Sequence, residues 1–229
     1  MRGTFGEQKN TDVYNSLRRG RAILSSEDQL NQYLYSYGPM IESQWAFAAQ
    51  ALGSDSITQN TRSIDYGCGQ GLAGLMIREQ LGPTAFANIA VSVLVEPSLP
   101  ALLRAAAVYE KVAPNSVVFS VNKSFDDVDW KDLNVGKYAN TVHVFSNVLD
   151  IGGYDHVRLI GQGLSVGRHT IIAVSHDRDH DGGSAAFSKL KTAVEHSKIK
   201  IIQNKIQKFS CKNRDESAVL WHCLMDVEK

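Results

Sequence analysis

A chain of 229 residues, 43% hydrophobic and 21% charged, has the composition of an ordinary folded protein with a full core, in one to two domains. Its 24 basic and 24 acidic side chains balance, so no global field indicates a nucleic acid or anionic membrane partner, although charge alone does not exclude an RNA or DNA substrate. Three scattered cysteines (Cys68, Cys211, Cys223), no C-x-x-C pair, no long apolar run and a polar start argue against disulfides, zinc, a secretory leader and a membrane span; a cytoplasmic protein is expected.

In chain order, residues 1–24 have weak periodicity and read as a flexible or partner-dependent lead-in. Within it, Arg18, Arg19 and Arg21 read as a solvated basic tail rather than a phosphate contact. Ser26 and Gln29 form a capping-box pattern ahead of a helix that Gly38-Pro39 interrupts. Ile41, Trp45, Ala48, Ala49 and Leu52 then mark a second helix, ending at Gly53. Tyr33, Tyr35 and Tyr37 cluster in this region, and helix packing is the simpler account of them. Residues 1–54 are thus an extension with helices, ahead of a unit at 55–229.

In that unit strands and helices alternate. Strands are expected at about 62–66, 90–96, 117–121, 141–146 and 170–175, and helices at about 72–81, 98–110, 154–164 and 184–196. Ile199, Ile201 and Ile206 belong to one further strand-like run and residues 218–225 to another, joined by the polar segment 212–216 as a hairpin. Such alternation implies a mostly parallel sheet with helices on both faces. The most informative stretch is 64–71, Ile-Asp-Tyr-Gly-Cys-Gly-Gln-Gly, between the first strand and the helix that Leu72 opens. Glycines at alternate positions let the chain turn sharply and leave bare main chain at a helix N-terminus, where a ligand can approach unpaired N–H groups.

The pattern Asp65-x-Gly67-x-Gly69-x-Gly71 resembles the first motif of the class I S-adenosylmethionine-dependent methyltransferases. A dinucleotide-binding site more often shows G-x-G-x-x-G without an acid just before it. With the closing hairpin, the resemblance spans about residues 55–227. It implies a three-layer α/β sandwich: a mostly parallel seven-stranded sheet, an antiparallel strand 7 at the edge, and helices on both faces. S-adenosylmethionine is the implied cofactor, with Asp65, Gly67, Gly69 and Gly71 around it. Glu96, ending the second strand, is expected to accept hydrogen bonds from the ribose hydroxyls, with capping of the next helix as the alternative. After the third strand, Ser124 and Phe125 are the candidates beside the adenine. After the fourth, Ser146 and Asn147 are expected at the methionine moiety.

Asp150 reads either as lining the acceptor side or as a helix cap, and His176, after the fifth strand, as a candidate general base; these two are the catalytic candidates. The His/Asp run 176–181 matches no common metal spacing, so no metal is expected. The methyl acceptor is not named by any motif: RNA, protein and small molecule all stay open. The resemblance implies that residues 1–54 cover the active site; the alternative is an inactive methyltransferase-fold binding module acting through a protein partner, with that N-terminal region as its docking surface.

Overall fold

A computed structural model of the protein describes residues 10–149, 151–177, 183–197, 199–211 and 216–228. Its elements are α1 (Thr11–Ser16), α2 (Glu27–Leu52), β1 (Thr61–Tyr66), α3 (Leu72–Leu81), α4 (Pro83–Phe86), β2 (Ile89–Val95), α5 (Leu99–Val112) and β3 (Val117–Val121). They continue with α6 (Trp130–Leu133), β4 (Asn140–Ser146), α7 (His156–Gly163), β5 (Gly167–His176), α8 (Gly183–Glu195), β6 (Lys200–Ser210) and β7 (Ser217–Val227).

The seven strands form one sheet in the order β3-β2-β1-β4-β5-β7-β6. All pairs from β3 to β5 are parallel, and β7 runs antiparallel to both its neighbours. The terminal hairpin therefore closes one edge: β7 slots beside β5, and β6 lies outermost. Beta1 is buried along its whole length because it has strands on both sides and helices on both faces. One face packs Trp45, Ala48, Ile77, Val144 and Ile172 beneath α2 and α3. The other packs Tyr66, Phe145, Phe187 and Trp221 beneath α7 and α8. Strand order reverses between β1 and β4, and a crevice opens there at the strands' carboxyl ends.

The N-terminal region departs from the sequence reading twice. Gly38-Pro39 does not split the helix: α2 runs 26 residues straight through Pro39. Proline forfeits one N–H, but Leu34, Gly38, Met40, Ile41 and Trp45 are buried on either side, and that burial outweighs one missing hydrogen bond. Residues 10–24 are also not a free lead-in. Asn10 caps α1 by accepting from the N–H groups of Asp12 and Val13, and its own N–H donates to Gln32 Oε1 (2.9 Å). Leu17 and Leu24 are buried with Leu30 and Ala101. Two leucines seven positions apart are too sparse to show as a period, yet they are enough to pin the segment between α2 and α5. Two short helices, α4 and α6, were also not expected. The hairpin turn at 212–215 lies outside the described residues.

Candidate functional site

The crevice at the switch point is a partly open cleft. Its floor comes from the loops after β1, β2, β3 and β4, through Gly67, Gly69, Glu96, Phe125, Ser146 and Asn147. Gly20–Leu24 and Tyr33 line it from the N-terminal region.

The three glycines all have positive φ (62°, 52° and 81°), but they answer to different constraints. A Cβ on Gly67 would lie 2.5 Å from Val148 and 3.1 Å from the Phe125 ring. On Gly71, the N-cap of α3, it would lie 3.1 Å from Ala105 Cα, so this glycine lets α3 pack on α5 and does not line the cleft. At Gly69 nothing stands within 4 Å, so here the bare backbone faces open space.

Glu96 bridges two loops. Its Oε2 accepts from the Gly69 N–H (3.0 Å) and its Oε1 from the Ser98 N–H (2.9 Å). Burial raises its carboxyl above the usual range, and those two N–H groups oppose the shift. Each oxygen keeps a lone pair for a further donor. Capping of α5 is done by Ser98 Oγ, which accepts from the Ala101 N–H (3.2 Å). On the same side Pro97, Ala101 and Phe125 supply apolar walls, and the Phe125 ring packs on Tyr154 at 4.7 Å.

Asp65 is not in the cleft. It is fully buried beneath the glycine loop, where Tyr109 Oη donates to its Oδ2 (2.8 Å) and Oδ1 has no hydrogen-bond partner. Burial raises its pKa to about 7, the Tyr109 bond opposing and the nearby Glu96 adding to the rise. Alternation along β1 explains the placement: Asp65 shares the face of Ser63, toward α5, whereas the loop beyond Tyr66 turns toward the crevice.

After β3 only Phe125 reaches the cleft. Ser124 is exposed, and its Oγ donates to Asp127 Oδ2 (2.6 Å). After β4, Ser146 and Asn147 both line it, and each is held from α2 by Trp45 and Gln44. His176 ends β5 opposite Ala218, half-buried, and is not a lining residue. Asp150 and residues 178–182 lie outside the described residues.

The sequence reading gave no site role to Gln44, Trp45 or Gln70. Gln70 Nε2 donates to Leu30 O (3.0 Å) and its Oε1 accepts from Arg104 (2.9 Å), tying the glycine loop to α2 and α5. A glutamine at 44 beside Trp45, on a face otherwise carrying Ile41 and Ala48, was a legible sign of a buried polar contact. The arginine run is not a tail either. Leu17 and Leu24 anchor it at both ends, Ser98 Oγ donates to Leu24 O, and the arginine side chains stay exposed. Arg18 and Arg19 hold left-handed backbone (φ 49° and 60°), a conformation costing about 1 kcal/mol or more per residue. Among the described residues no group of three or more metal-ligating side chains converges, and no helix is long and apolar enough to cross a membrane.

No protein-family profile matches the chain, and no curated protein resembles it in sequence. Solved structures do resemble it. The plantazolicin methyltransferase BpumL, in complex with S-adenosylhomocysteine, is 15% identical over 95% of this chain and 98% of that one, with a TM-score of 0.57. A SAM-dependent methyltransferase from Leishmania major is 16% identical over 95% and 88% of the two chains (TM-score 0.51). The N-methyltransferase NodS from Bradyrhizobium japonicum is 13% identical over 82% and 98% (TM-score 0.51). The fold is that of the class I, Rossmann-like methyltransferases.

Proposed function

We propose that this chain is an S-adenosylmethionine-dependent methyltransferase. One observation carries the reading: an unobstructed glycine backbone at Gly69 and a carboxylate at Glu96, on the ends of adjacent parallel strands, face a single cleft. The residues fit the cofactor. The space a Cβ would fill at Gly69 is empty, and the lone pairs left on Glu96 suit two vicinal hydroxyls while its charge repels a phosphate. That pairing favours a nucleoside over a pyrophosphate-bearing dinucleotide.

In this assignment Glu96 holds the ribose, while Pro97, Ala101 and Phe125 flank the base. Gly67 and Gly69 bring the main chain against the ligand, and the loop Ser146–Val148 receives the amino-acid end. When bound, the cofactor supplies a sulfonium-activated methyl group. The chain's task is then to fix two reactants in line and keep water out, which supplies much of the acceleration of such a transfer. Gly20–Leu24 and Tyr33 line the cleft from the N-terminal region. Asp150 is retained as a proposed group on the acceptor side, whereas His176, away from the cleft lining, is not. The acceptor, whether RNA, protein or small molecule, is left to experiment.

Calorimetry with S-adenosylmethionine, S-adenosylhomocysteine and NAD tests the cofactor: tighter binding of NAD overturns the assignment. Incubating the protein with methyl-labelled cofactor and fractionated cell extract should label one class of molecule. Asp150→Ala is expected to lower that transfer and leave cofactor affinity intact.

A further inference from the structure

Two consecutive residues of α2 grip two consecutive residues of the loop after β4. Trp45 Nε1 donates to Ser146 Oγ (2.9 Å). Gln44 and Asn147 exchange amide hydrogen bonds, Gln44 Nε2 to Asn147 Oδ1 at 3.2 Å and Asn147 Nδ2 to Gln44 Oε1 at 2.8 Å. Gln44 and Trp45 have no exposed surface at all. A reciprocal amide pair leaves little freedom: turning either amide over sets donor against donor and acceptor against acceptor.

The partner held this way is a residue in unusual backbone geometry. Asn147 has φ 54°, a left-handed conformation that asparagine tolerates better than most other non-glycine residues. Its own N–H donates to Val174 O (2.8 Å), so main chain and side chain are both fixed. An apolar residue at 44 would serve the buried face of α2 equally well. Glutamine there, paired with a left-handed asparagine at the cleft, points to the loop's shape as what is being maintained.

The same hydrogen bonds show what the loop has left to offer. Ser146 Oγ accepts from Trp45, so its hydroxyl hydrogen remains free to donate, and Asn147 Nδ2 has a second hydrogen beyond the one given to Gln44. Both residues line the cleft on the β4 side of the switch point, across from Glu96 on the β2 side. Two converging donors suit a carboxylate. We infer that Gln44 is a positioning residue: acting through Asn147, and together with Trp45 and Ser146, it shapes a subsite for the carboxylate of the cofactor's amino-acid end. The inference rests on the methyltransferase reading above.

The test compares two ligands that share a nucleoside and differ in that end. S-adenosylhomocysteine carries the amino-acid carboxylate, and 5′-methylthioadenosine lacks it. In Gln44→Met, which keeps the buried volume, affinity for the first is expected to fall about tenfold while affinity for the second stays unchanged. Asn147→Gly tests the same contact from the loop side, since glycine takes this φ without strain, and it is expected to show the same selective loss. This second variant decides the question should Gln44→Met fail to fold. Equal weakening of both ligands, or no change in either, overturns the inference. A wild-type protein that binds neither nucleoside overturns the methyltransferase reading instead.

Discussion

Two polar assemblies sit on this sheet, and they treat hydrogen-bonding capacity in opposite ways. In the cleft, Glu96, Ser146 and Asn147 are each anchored by a protein partner yet keep a lone pair or a hydrogen in reserve. On the face beneath α7, a buried line runs from Tyr66 Oη to His143 Nδ1 (3.1 Å), from His143 Nε2 to His169 Nδ1 (2.8 Å), and from His169 Nε2 to Ser165 O (2.8 Å). Burial keeps both imidazoles neutral. At His169 Nε2 the 2.8 Å contact to the Ser165 carbonyl outweighs the 3.4 Å contact from the Ser165 N–H, so the proton is assigned to Nε2; Nδ1 then accepts from His143 Nε2, and His143 Nδ1 accepts from Tyr66 Oη. Burial, with Arg62 nearby, depresses both, His143 well below the usual range and His169 to about 4. Such an assembly has nothing left for a ligand. Partners that exhaust one another specify the fold, whereas partners that hold something back specify a site.

The largest expected effect comes from cutting the buried line. His143→Ala strands Tyr66 Oη and His169 Nδ1 and leaves a cavity, and should cost about 4 kcal/mol in denaturant unfolding. Cofactor affinity of the folded fraction should not change; a parallel loss of binding would erase the division between the two regions.

Asp65 belongs with the buried class although it lies beneath the glycine loop. With its carboxyl raised to about 7, the folded state binds a proton that the unfolded state releases near pH 4, so stability falls as pH climbs through that window. The histidines act in the other direction, subtracting stability as pH drops below about 6.5. Asp65→Asn should thus stabilise the protein at pH 8 by at most about 4 kcal/mol and do little at pH 4, as read from unfolding midpoints across pH. A flat difference between the two proteins would show that Asp65 is charged throughout.

Glu96→Ala probes the cleft directly. It should weaken S-adenosylhomocysteine binding by about one to two orders of magnitude, the equivalent of roughly 1.5–3 kcal/mol, in calorimetry. The smallest change in stability is expected at Gly69. Gly69→Ala puts a side chain on left-handed backbone in open space, costing about 1 kcal/mol of stability. Its effect on ligand affinity should be the greater of the two, and unchanged affinity would make the loop a turn and nothing more.

What the sequence disclosed follows the same division. Beta1, β2, β4 and β5 were legible because buried parallel strands read as apolar runs, and the exposed edge strand β3 was legible from its β-branched and aromatic residues; Glu96 was conspicuous as a lone acid ending such a run. Asp65 was expected beside the cofactor and lies instead beneath the loop: spacing gives position along the strand, and only the pairing with Tyr109 shows which way the side chain is used. Ser124 was misread for a similar reason, since its local partner Asp127 lies three residues away and satisfies it outside the cleft. What Gln44 holds and how the 17–24 segment docks were not readable because their partners are distant in sequence; Gln44 and Asn147 stand 103 positions apart. Contacts of that range leave no periodic trace.

Pro39 gives α2 a mechanical character that its length alone would not. The half before it carries the contacts to the glycine loop and the cleft, through Leu30 and Tyr33; the half after it carries Gln44 and Trp45, clamped on the β4 loop. At Pro39 the carbonyl of Tyr35 has no intrahelical donor, so the rod is softest at the junction between its two duties. One rod thus serves two loops, and the joint where its backbone forgoes a hydrogen bond falls between them.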